Sequence, residues 1–163
     1  MKIEQNLIVI PTRIVADKAD HHDVISLDIQ VLSGYKFTIE ILKITPLDKI
    51  HLIIQNQVNF GNDHLFHFFI TKAPSYRNRS IIGKTEFYEP EEYEASISKI
   101  SIGSLFPLPK RAKLFYLFDF GDCWYFEIKQ SRAKIKTFYE KNYYPRVTKS
   151  SGEIPEQYPN EEY

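Results

Sequence analysis

Two neighbouring segments of this chain alternate strictly between apolar and polar residues, and this alternation limits the possible folds more than any other feature. A period of two is typical of a β-strand with one buried face and one wet face. Ser33-Gly34 between the segments suits a tight turn. Residues 24–31 and 35–41 therefore predict a β-hairpin. Its buried face would consist of Ile25, Leu27, Ile29, Val31, Tyr35, Phe37, Ile39 and Ile41.

A helix is predicted directly after the hairpin, over about residues 46–60. Thr45 and Asp48 can form a capping box, and Pro46 suits the first turn. Gly61 is a natural stop. The apolar residues of this segment recur at helical spacing and would pack on the hairpin: Leu47, Ile50, Ile54 and Val58.

Three less regular segments follow the helix. Residues 63–71 alternate again and predict a third strand, with His64 and Phe66 on one face. Residues 72–95 are long for a connection, which leaves either a short irregular hairpin or a partly mobile loop. Residues 98–106 predict a short helix or 3₁₀ turn.

A second hairpin is predicted near the middle of the second half of the chain. Its strands are 113–120 and 123–129, and Gly121-Asp122 between them suits a two-residue type II′ turn. In that register Phe120 pairs with Cys123, and Asp119 faces Trp124 across the ladder.

These elements predict an α+β fold with a single domain. The sheet, mixed or antiparallel, would contain two β-hairpins plus one strand and pack on one long helix (46–60) and a short helix (98–106). The length of 163 residues suits one domain. The 12 Phe and 11 Tyr residues favour a sheet as well. We expect residues 1–20 to be an N-terminal extension and residues 21–163 to form the domain.

Composition excludes several classes of function. Cys123 is the single cysteine, so the chain has no internal disulfide and no multi-thiolate zinc site. The 21 basic and 21 acidic residues argue against a protein that binds nucleic acid through net charge alone. Residues 1–20 hold only a short apolar run, too short for a spanning helix or a secretory signal. We therefore expect a cytoplasmic protein with no membrane partner, no metal and no cofactor.

The segment Phe118-Asp119-Phe120-Gly121-Asp122-Cys123-Trp124 resembles a motif of the plasmid pRiA4b ORF-3-like family, which is also met as passenger proteins of insertion elements. Two further stretches are similar to that family over about residues 24–160: Ile53-Ile54-Gln55 followed by His64-Leu65, and Tyr144-Pro145 followed by Gly152 and Pro155-Glu156. The resemblance implies an α+β fold and an association with mobile elements. Family members often carry His where this chain has Phe126, and His or Tyr where it has Phe66, which weakens any role built on a histidine cluster.

The candidate catalytic residues are Asp119, Asp122 and His64. One interpretation of Asp119 is structural: it accepts hydrogen bonds from turn amides or from the Trp124 indole. The other is a carboxylate in a pocket that acts as acid, base or ligand, in a site shared with His64. Asp122 is either a solvated turn residue or a binding residue.

His64 and His67 point to opposite faces of a strand, so they cannot bind one metal ion together. Cys123 is predicted to be a small buried apolar residue without nucleophilic activity, because its expected neighbours supply no base.

A basic and aromatic arm over residues 129–149 offers a second candidate surface. Cations interleaved with rings can follow a phosphate backbone while bases stack, although such a run is also typical of a solvated strand edge. The candidate binding residues are Trp124, Lys134, Lys136, Tyr143, Tyr144 and Arg146.

On function we favour a non-enzymatic interaction or accessory protein of the mobile-element type, because no complete catalytic constellation is visible. Two alternatives stay open. One is a nucleic-acid-binding protein that uses the arm 129–149, and the other is a small hydrolase or metal-dependent enzyme centred on His64, Asp119 and Asp122. The partner is a protein or a nucleic acid in these interpretations.

Overall fold

A computed structural model describes residues 23–72, 78–83, 89–137 and 142–159 of the chain. The expected extension over residues 1–20 lies outside the described residues, so the division into extension and domain stays a prediction. Within the described part of the chain, no helix is both long and apolar enough to cross a membrane.

The predicted α+β fold is confirmed, with an antiparallel sheet. The described residues form eight strands, two α-helices and one 3₁₀ turn. In chain order these are β1 (Asp23–Val31), β2 (Lys36–Leu42), α1 (Leu47–Val58), β3 (Phe66–Thr71), β4 (Ser80–Ile81), α2 (Pro90–Ile97), the 3₁₀ turn (Ile102–Leu105), β5 (Lys113–Phe118), β6 (Trp124–Gln130), β7 (Lys136–Thr137) and β8 (Arg146–Ser151). The strand order is β4-β3-β5-β6-β1-β2-β8, and β7 pairs with β1.

One face of the sheet carries the core, as the alternation of the first hairpin predicts. In β1 and β2 the residues at every second position are buried, and they pack with the buried residues of α1. The register keeps this face continuous, because Ile29 lies opposite both Phe37 and Ile128, and Tyr116 lies opposite Phe126. We call the other side, which α1 does not cover, the open face.

The open face has two different ends. Across β2, β1 and β6 it carries charged and polar side chains such as Lys36, Thr38 and Lys129. Across β5 and β3 it carries a second apolar cluster of Phe69, Phe115 and Leu117. The open face is therefore polar beside β8 and aromatic beside β3.

A tertiary contact sets the start of α1 and local backbone bonds set its end, and the predicted caps are wrong. Pro46 occupies the cap position without a side-chain bond in the described structure, and the Leu47 amide donates to the Ile100 carbonyl at 3.0 Å. That backbone bond takes the place that a capping box from Thr45 would fill. At the other end Asn59 adopts the left-handed conformation (φ 58°), so the helix ends at Val58, three residues before Gly61.

The segment after β3 contains more regular structure than expected. β4 pairs with β3 through Phe69 and Ile81, which agrees with a short irregular hairpin, although its tip over 73–77 lies outside the described residues. The short helix or 3₁₀ turn predicted at 98–106 is present as the 3₁₀ turn at 102–105, whereas α2 at 90–97 was not predicted. α2 begins at Pro90 and buries Tyr93 and Ile97, which draws it onto the core.

Candidate active site and open face

The loop between β5 and β6 has five residues, 119–123, and the predicted two-residue turn is wrong. Phe118 pairs with Trp124, so Asp119 does not face Trp124 and Phe120 does not pair with Cys123. Asp119 and Cys123 take positive φ values of 60° and 56°, which close the longer loop. Asp can adopt this conformation because its short side chain bonds to the local backbone.

The Asp119 carboxylate organises this loop. Its Oδ1 accepts hydrogen bonds from the amides of Gly121 at 2.9 Å and Asp122 at 3.1 Å. Its own amide donates to the Leu65 carbonyl at 2.9 Å, which ties the loop to the start of β3. The bond from turn amides is the first of the two structural roles considered for Asp119.

The Trp124 indole does not take the other structural role. Its Nε1 is buried and finds no hydrogen-bond acceptor among the described residues. The ring instead packs edge-on against Phe60, with the centroids 4.9 Å apart. Trp124 thus contributes apolar contact beside the loop.

His64 and Asp119 meet, although they come from different elements. His64 lies just before β3, and its Nε2 is 3.3 Å from Asp119 Oδ2. The carboxylate side chain is 8% exposed and the His64 side chain 39%. The two oxygens of Asp119 therefore have separate contacts, one with turn amides and one with the imidazole.

The C-terminal segment closes over this pair and forms what we call the clasp: Asp63, His64, Asp119, Gln157 and Tyr158. The Tyr158 hydroxyl lies 2.9 Å from His64 Nε2 and donates to Asp63 Oδ2 at 2.7 Å. Gln157 Nε2 donates to Asp63 Oδ1 at 2.9 Å. These bonds join residues more than 90 positions apart in sequence.

The hydrogen bonds of the clasp determine which nitrogen of the His64 imidazole carries a proton. Tyr158 donates its one hydroxyl proton to Asp63, so towards His64 the Tyr158 oxygen can only be an acceptor. His64 Nε2 must then carry a proton, which faces both Tyr158 and Asp119. Hydrogen bonds from Tyr158 and then Gln157, with His64 nearby, hold the pKa of the Asp63 carboxyl below its ordinary value despite its desolvation.

A cleft of about 390 Å³ lies beside His64, between the start of β3 and α2. Asp63, His64, Pro90 and Glu94 are among its lining residues. A histidine oriented by a buried carboxylate at the edge of a cleft has the chemistry of a general base. Among the described residues, however, no group of three His, Cys, Asp or Glu side chains could hold a metal ion.

A second histidine network, which the sequence analysis missed, lies inside the core. His51 Nδ1 is 2.6 Å from the Tyr116 hydroxyl, and its Nε2 is 2.6 Å from Asn62 Oδ1. Gln55 Nε2 also donates to the Tyr116 hydroxyl, at 3.0 Å. The His51 ring stacks on Phe66 with centroids 3.6 Å apart. The signal in the sequence is a histidine on the apolar face of α1, one turn before Gln55.

Burial lowers the pKa of His51 to about 4, and the hydrogen bond to Asn62 only partly opposes that effect. The imidazole is neutral at pH 7, with its proton on Nε2, because Asn62 Oδ1 can only accept. Tyr116 therefore donates to Nδ1 and accepts from Gln55. The network is satisfied within the protein.

His67, Cys123 and Asp122, which the sequence analysis also considered, lie outside the clasp. His67 is on the open face, where its ring contacts Phe120 with centroids 4.9 Å apart. Burial first, and the Arg79 charge second, lower the pKa of His67 to about 4. Cys123 is exposed, so the prediction of a buried cysteine is wrong, since the longer loop turns it towards solvent. Asp122 is exposed as well.

Two cations of the basic arm are engaged with a buried carboxylate. Arg146 Nε donates to Glu40 Oε2 at 2.7 Å, and Lys136 Nζ donates to Glu40 Oε1 at 2.5 Å. These contacts, led by the bond from Lys136, hold the pKa of the Glu40 carboxyl below its ordinary value. Tyr144 is buried against Val24 and Leu42.

The other two candidate binding residues of the arm are exposed. Tyr143 is 87% exposed, and Lys134 is exposed as well. Residues 138–141, which include further predicted cations and rings, lie outside the described residues. The candidate residues of the arm therefore do not share one surface: some are ion-paired, one is buried and others are exposed.

A second cleft, of about 410 Å³, lies on the polar end of the open face. Lysines from three strands line it: Lys36 of β2, Lys129 of β6 and Lys149 of β8. Glu127 Oε1 lies 3.4 Å from Lys129 and 3.3 Å from Lys113. Within the described ranges, Lys36 and Lys149 have no carboxylate within 4.0 Å, so this cleft has excess positive charge.

Asp28 also lines this cleft and accepts a hydrogen bond from the Thr38 hydroxyl at 2.6 Å. Because this donor is neutral, Asp28 keeps its charge, and the lining of the cleft holds three lysines against two carboxylates, Asp28 and Glu127.

Comparison with known proteins places the chain in a family. The model of the family described as "Plasmid pRiA4b ORF-3-like protein" matches residues 36–158. The fold is similar to the crystal structure of a protein of unknown function from Methanosarcina mazei Go1. The TM-score is 0.61 at 21% sequence identity, covering 80% of this chain and 71% of that one. No curated protein matches the chain. Since the family model covers most of the chain, including the Asp119 loop and the clasp, this protein belongs to the plasmid pRiA4b ORF-3-like family.

Proposed function

We propose that this protein is a cytoplasmic, non-enzymatic interaction protein, and that it meets an anionic partner with the open face of its sheet. The observation that carries the proposal is the pair of lysines at the open-face cleft. Lys36 and Lys149 have no carboxylate within 4.0 Å in the described part of the chain. Uncompensated cations beside a cleft raise the local concentration of anions and steer their approach.

The clasp supports a structural role for the most suggestive side chains. His64 Nε2 faces Tyr158 and Asp119, and Asp119 Oδ1 accepts two loop amides. These polar groups fasten the C-terminal segment to the body of the protein. The plasmid in the name of the family is the support for an accessory role in a mobile element.

The test compares two double variants that remove the same charge from opposite sides of the molecule. Lys36→Gln with Lys149→Gln neutralises the cleft. Lys49→Gln with Lys99→Gln neutralises two exposed lysines on the side of the helices. The probe is heparin, a flexible polyanion, and the measurement is its Kd at low salt.

We expect the cleft variant to bind heparin several-fold more weakly than the native protein and the control variant to bind as the native protein does. If the native protein does not bind heparin, or if both variants lose affinity equally, the open face is not an anion-binding surface.

A hydrolase is the second candidate function, and the contact of 3.3 Å between His64 and Asp119 favours it. A carboxylate that orients an imidazole beside a cleft is one part of a catalytic site. The test measures hydrolysis of p-nitrophenyl acetate and p-nitrophenyl phosphate, with and without added divalent metals. Turnover that is lost in both His64→Gln and Asp119→Asn, with the fold intact, supports the hydrolase and contradicts a non-enzymatic function.

A further inference from the structure

We infer that the partner of the open face is a single-stranded nucleic acid, whose phosphates bind at the cleft lysines while a base stacks on the ring of Phe120. This inference rests on the proposed function, because it names the anion that the open face would bind. Of the basic arm over residues 129–149, it uses only the two terminal lysines, Lys129 and Lys149.

The cations of the open face follow a path across the strands. Lys149 lies opposite Thr38, Thr38 opposite Asp28, and Asp28 opposite Lys129. Lys36 lies opposite Ser151 in the neighbouring row. Because adjacent strands are roughly 4.8 Å apart, the path from β8 to β6 extends over roughly 14 Å. Such a path fits an extended polyanion better than a single small anion.

Neutral donors line the same cleft between these cations. Gln30 and Ser151 lie opposite Lys36 on its two sides and are among the lining residues of the cleft. Hydroxyl and amide groups of this kind donate to phosphate oxygens alongside Lys and Arg in nucleic-acid complexes. The cleft therefore offers both the charges and the neutral donors that phosphate groups bind.

Aromatic rings continue the path where the lysines end. Tyr125 lies on β6, two residues from Glu127 at the edge of the cleft, which corresponds to roughly 7 Å along the strand. Phe120 follows in the β5–β6 loop, and 41% of it is exposed. It contacts His67, whose Nε2 lies 3.3 Å from the Arg79 guanidinium. The exposed ring of Phe120 therefore lies at the aromatic end of the open face, where Arg79 supplies one cation near it.

This combination distinguishes a single strand from other polyanions. An acidic peptide can satisfy the lysines but brings no flat bases for Phe120. In a duplex the bases are stacked inside, so they cannot reach a ring on a sheet surface. A single strand offers both phosphates and accessible base faces, and stacking on aromatic side chains tolerates any base.

The test measures fluorescence anisotropy with four labelled or competing probes: an oligothymidylate of about 15 nucleotides, a duplex of the same length, polyglutamate and heparin. The informative variant is Phe120→Leu, which keeps an apolar side chain and removes the aromatic face. Tyr143→Leu is its matched control, because it removes an exposed ring from the arm 129–149. Phe120→Trp is the conservative variant that retains stacking.

We expect the single strand to bind more tightly than the duplex and polyglutamate at equal salt. Phe120→Leu should weaken it by about 5- to 100-fold, whereas Phe120→Trp and Tyr143→Leu should not. In the Lys36→Gln and Lys149→Gln double variant, the slope of log K against log salt should fall by about 1.4 if each lysine neutralises one phosphate.

Failure of this inference can be told apart from failure of the proposed function. Suppose that heparin and polyglutamate bind as tightly as the single strand and that Phe120→Leu leaves affinity unchanged. The inference of a nucleic-acid partner is then wrong, but the proposal of an anion-binding open face is supported. If Tyr143→Leu weakens the single strand and Phe120→Leu does not, the arm carries the binding and the inference is overturned. If no probe binds, both proposals fail.

Discussion

The buried His51 network makes stability depend on pH in a defined window. In the folded protein the pKa of His51 is about 4, because burial disfavours the imidazolium, whereas in the unfolded chain it is near the ordinary 6.5. Between these values the unfolded chain binds more protons than the folded protein. Stability is therefore constant above about pH 6.5 and falls as the pH is lowered towards about 4.

The magnitude follows from the two pKa values. A difference of roughly 2.5 pH units at about 1.4 kcal/mol per unit corresponds to about 3 kcal/mol lost from His51 across the window. His67, whose pKa is also about 4, adds a loss of the same sign. The pKa values of the Glu40 and Asp63 carboxyls lie below their ordinary 4.5 and 3.8, so the stability that these groups contribute is lost as the pH falls through those ordinary values, at the acidic end of the window and below it.

The assay is urea denaturation at a series of pH values between 7.5 and 4 in the native protein, in His51→Gln and in His67→Gln. His51→Gln should lose stability at pH 7, because Tyr116 and Asn62 lose a partner, by about 1–3 kcal/mol. It should also lose about 3 kcal/mol less than the native protein on going to pH 4. His67→Gln removes the contribution of the other histidine, so the two variants measure the two losses separately. An unchanged pH dependence in His51→Gln would refute the reasoning.

Two further predictions concern contacts between residues that are distant in sequence. Glu40→Gln should destabilise the protein by about 1–3 kcal/mol at pH 7, because Lys136 and Arg146 lose a charged acceptor. In urea denaturation this loss should disappear as the pH falls through the Glu40 pKa. A loss that stays unchanged at low pH contradicts the prediction. Tyr158→Phe should loosen the clasp, and the measurement is hydrogen exchange of the Gly61 amide, which donates to Gln157 Oε1 at 2.7 Å. We expect faster exchange of this amide in Tyr158→Phe than in Thr71→Val, a variant outside the clasp. Unchanged exchange in Tyr158→Phe contradicts the prediction.

The main elements of the fold could be predicted because their signals are local. Alternation over residues 24–31 and 35–41 determined the first hairpin, since a strand with one buried face has a period of two. Helical spacing likewise located α1 to within about two residues at each end. The family motif could be identified from a few adjacent residues, and the family match confirms it.

The predictions that depended on local turn and cap preferences were less successful. The Leu47 amide at the start of α1 bonds to Ile100, a partner distant in sequence. At the other end α1 stops at Val58, because Asn59 rather than Gly61 takes the left-handed conformation. The β5–β6 loop has five residues because Asp119 bonds to Gly121 and Asp122 within it, and no two-residue pattern contains that information.

The sequence by itself determined which faces of the strands and of α1 are apolar, because burial of alternate residues is a property of neighbours in the chain. Only the tertiary structure decided what His64, His51 and Glu40 do, since each bonds to a residue between about 55 and 106 positions away. It also decided that Lys36, Lys129 and Lys149 share one cleft. Cross-strand pairing brings these charges together, and sheet register, unlike periodicity, depends on the whole chain.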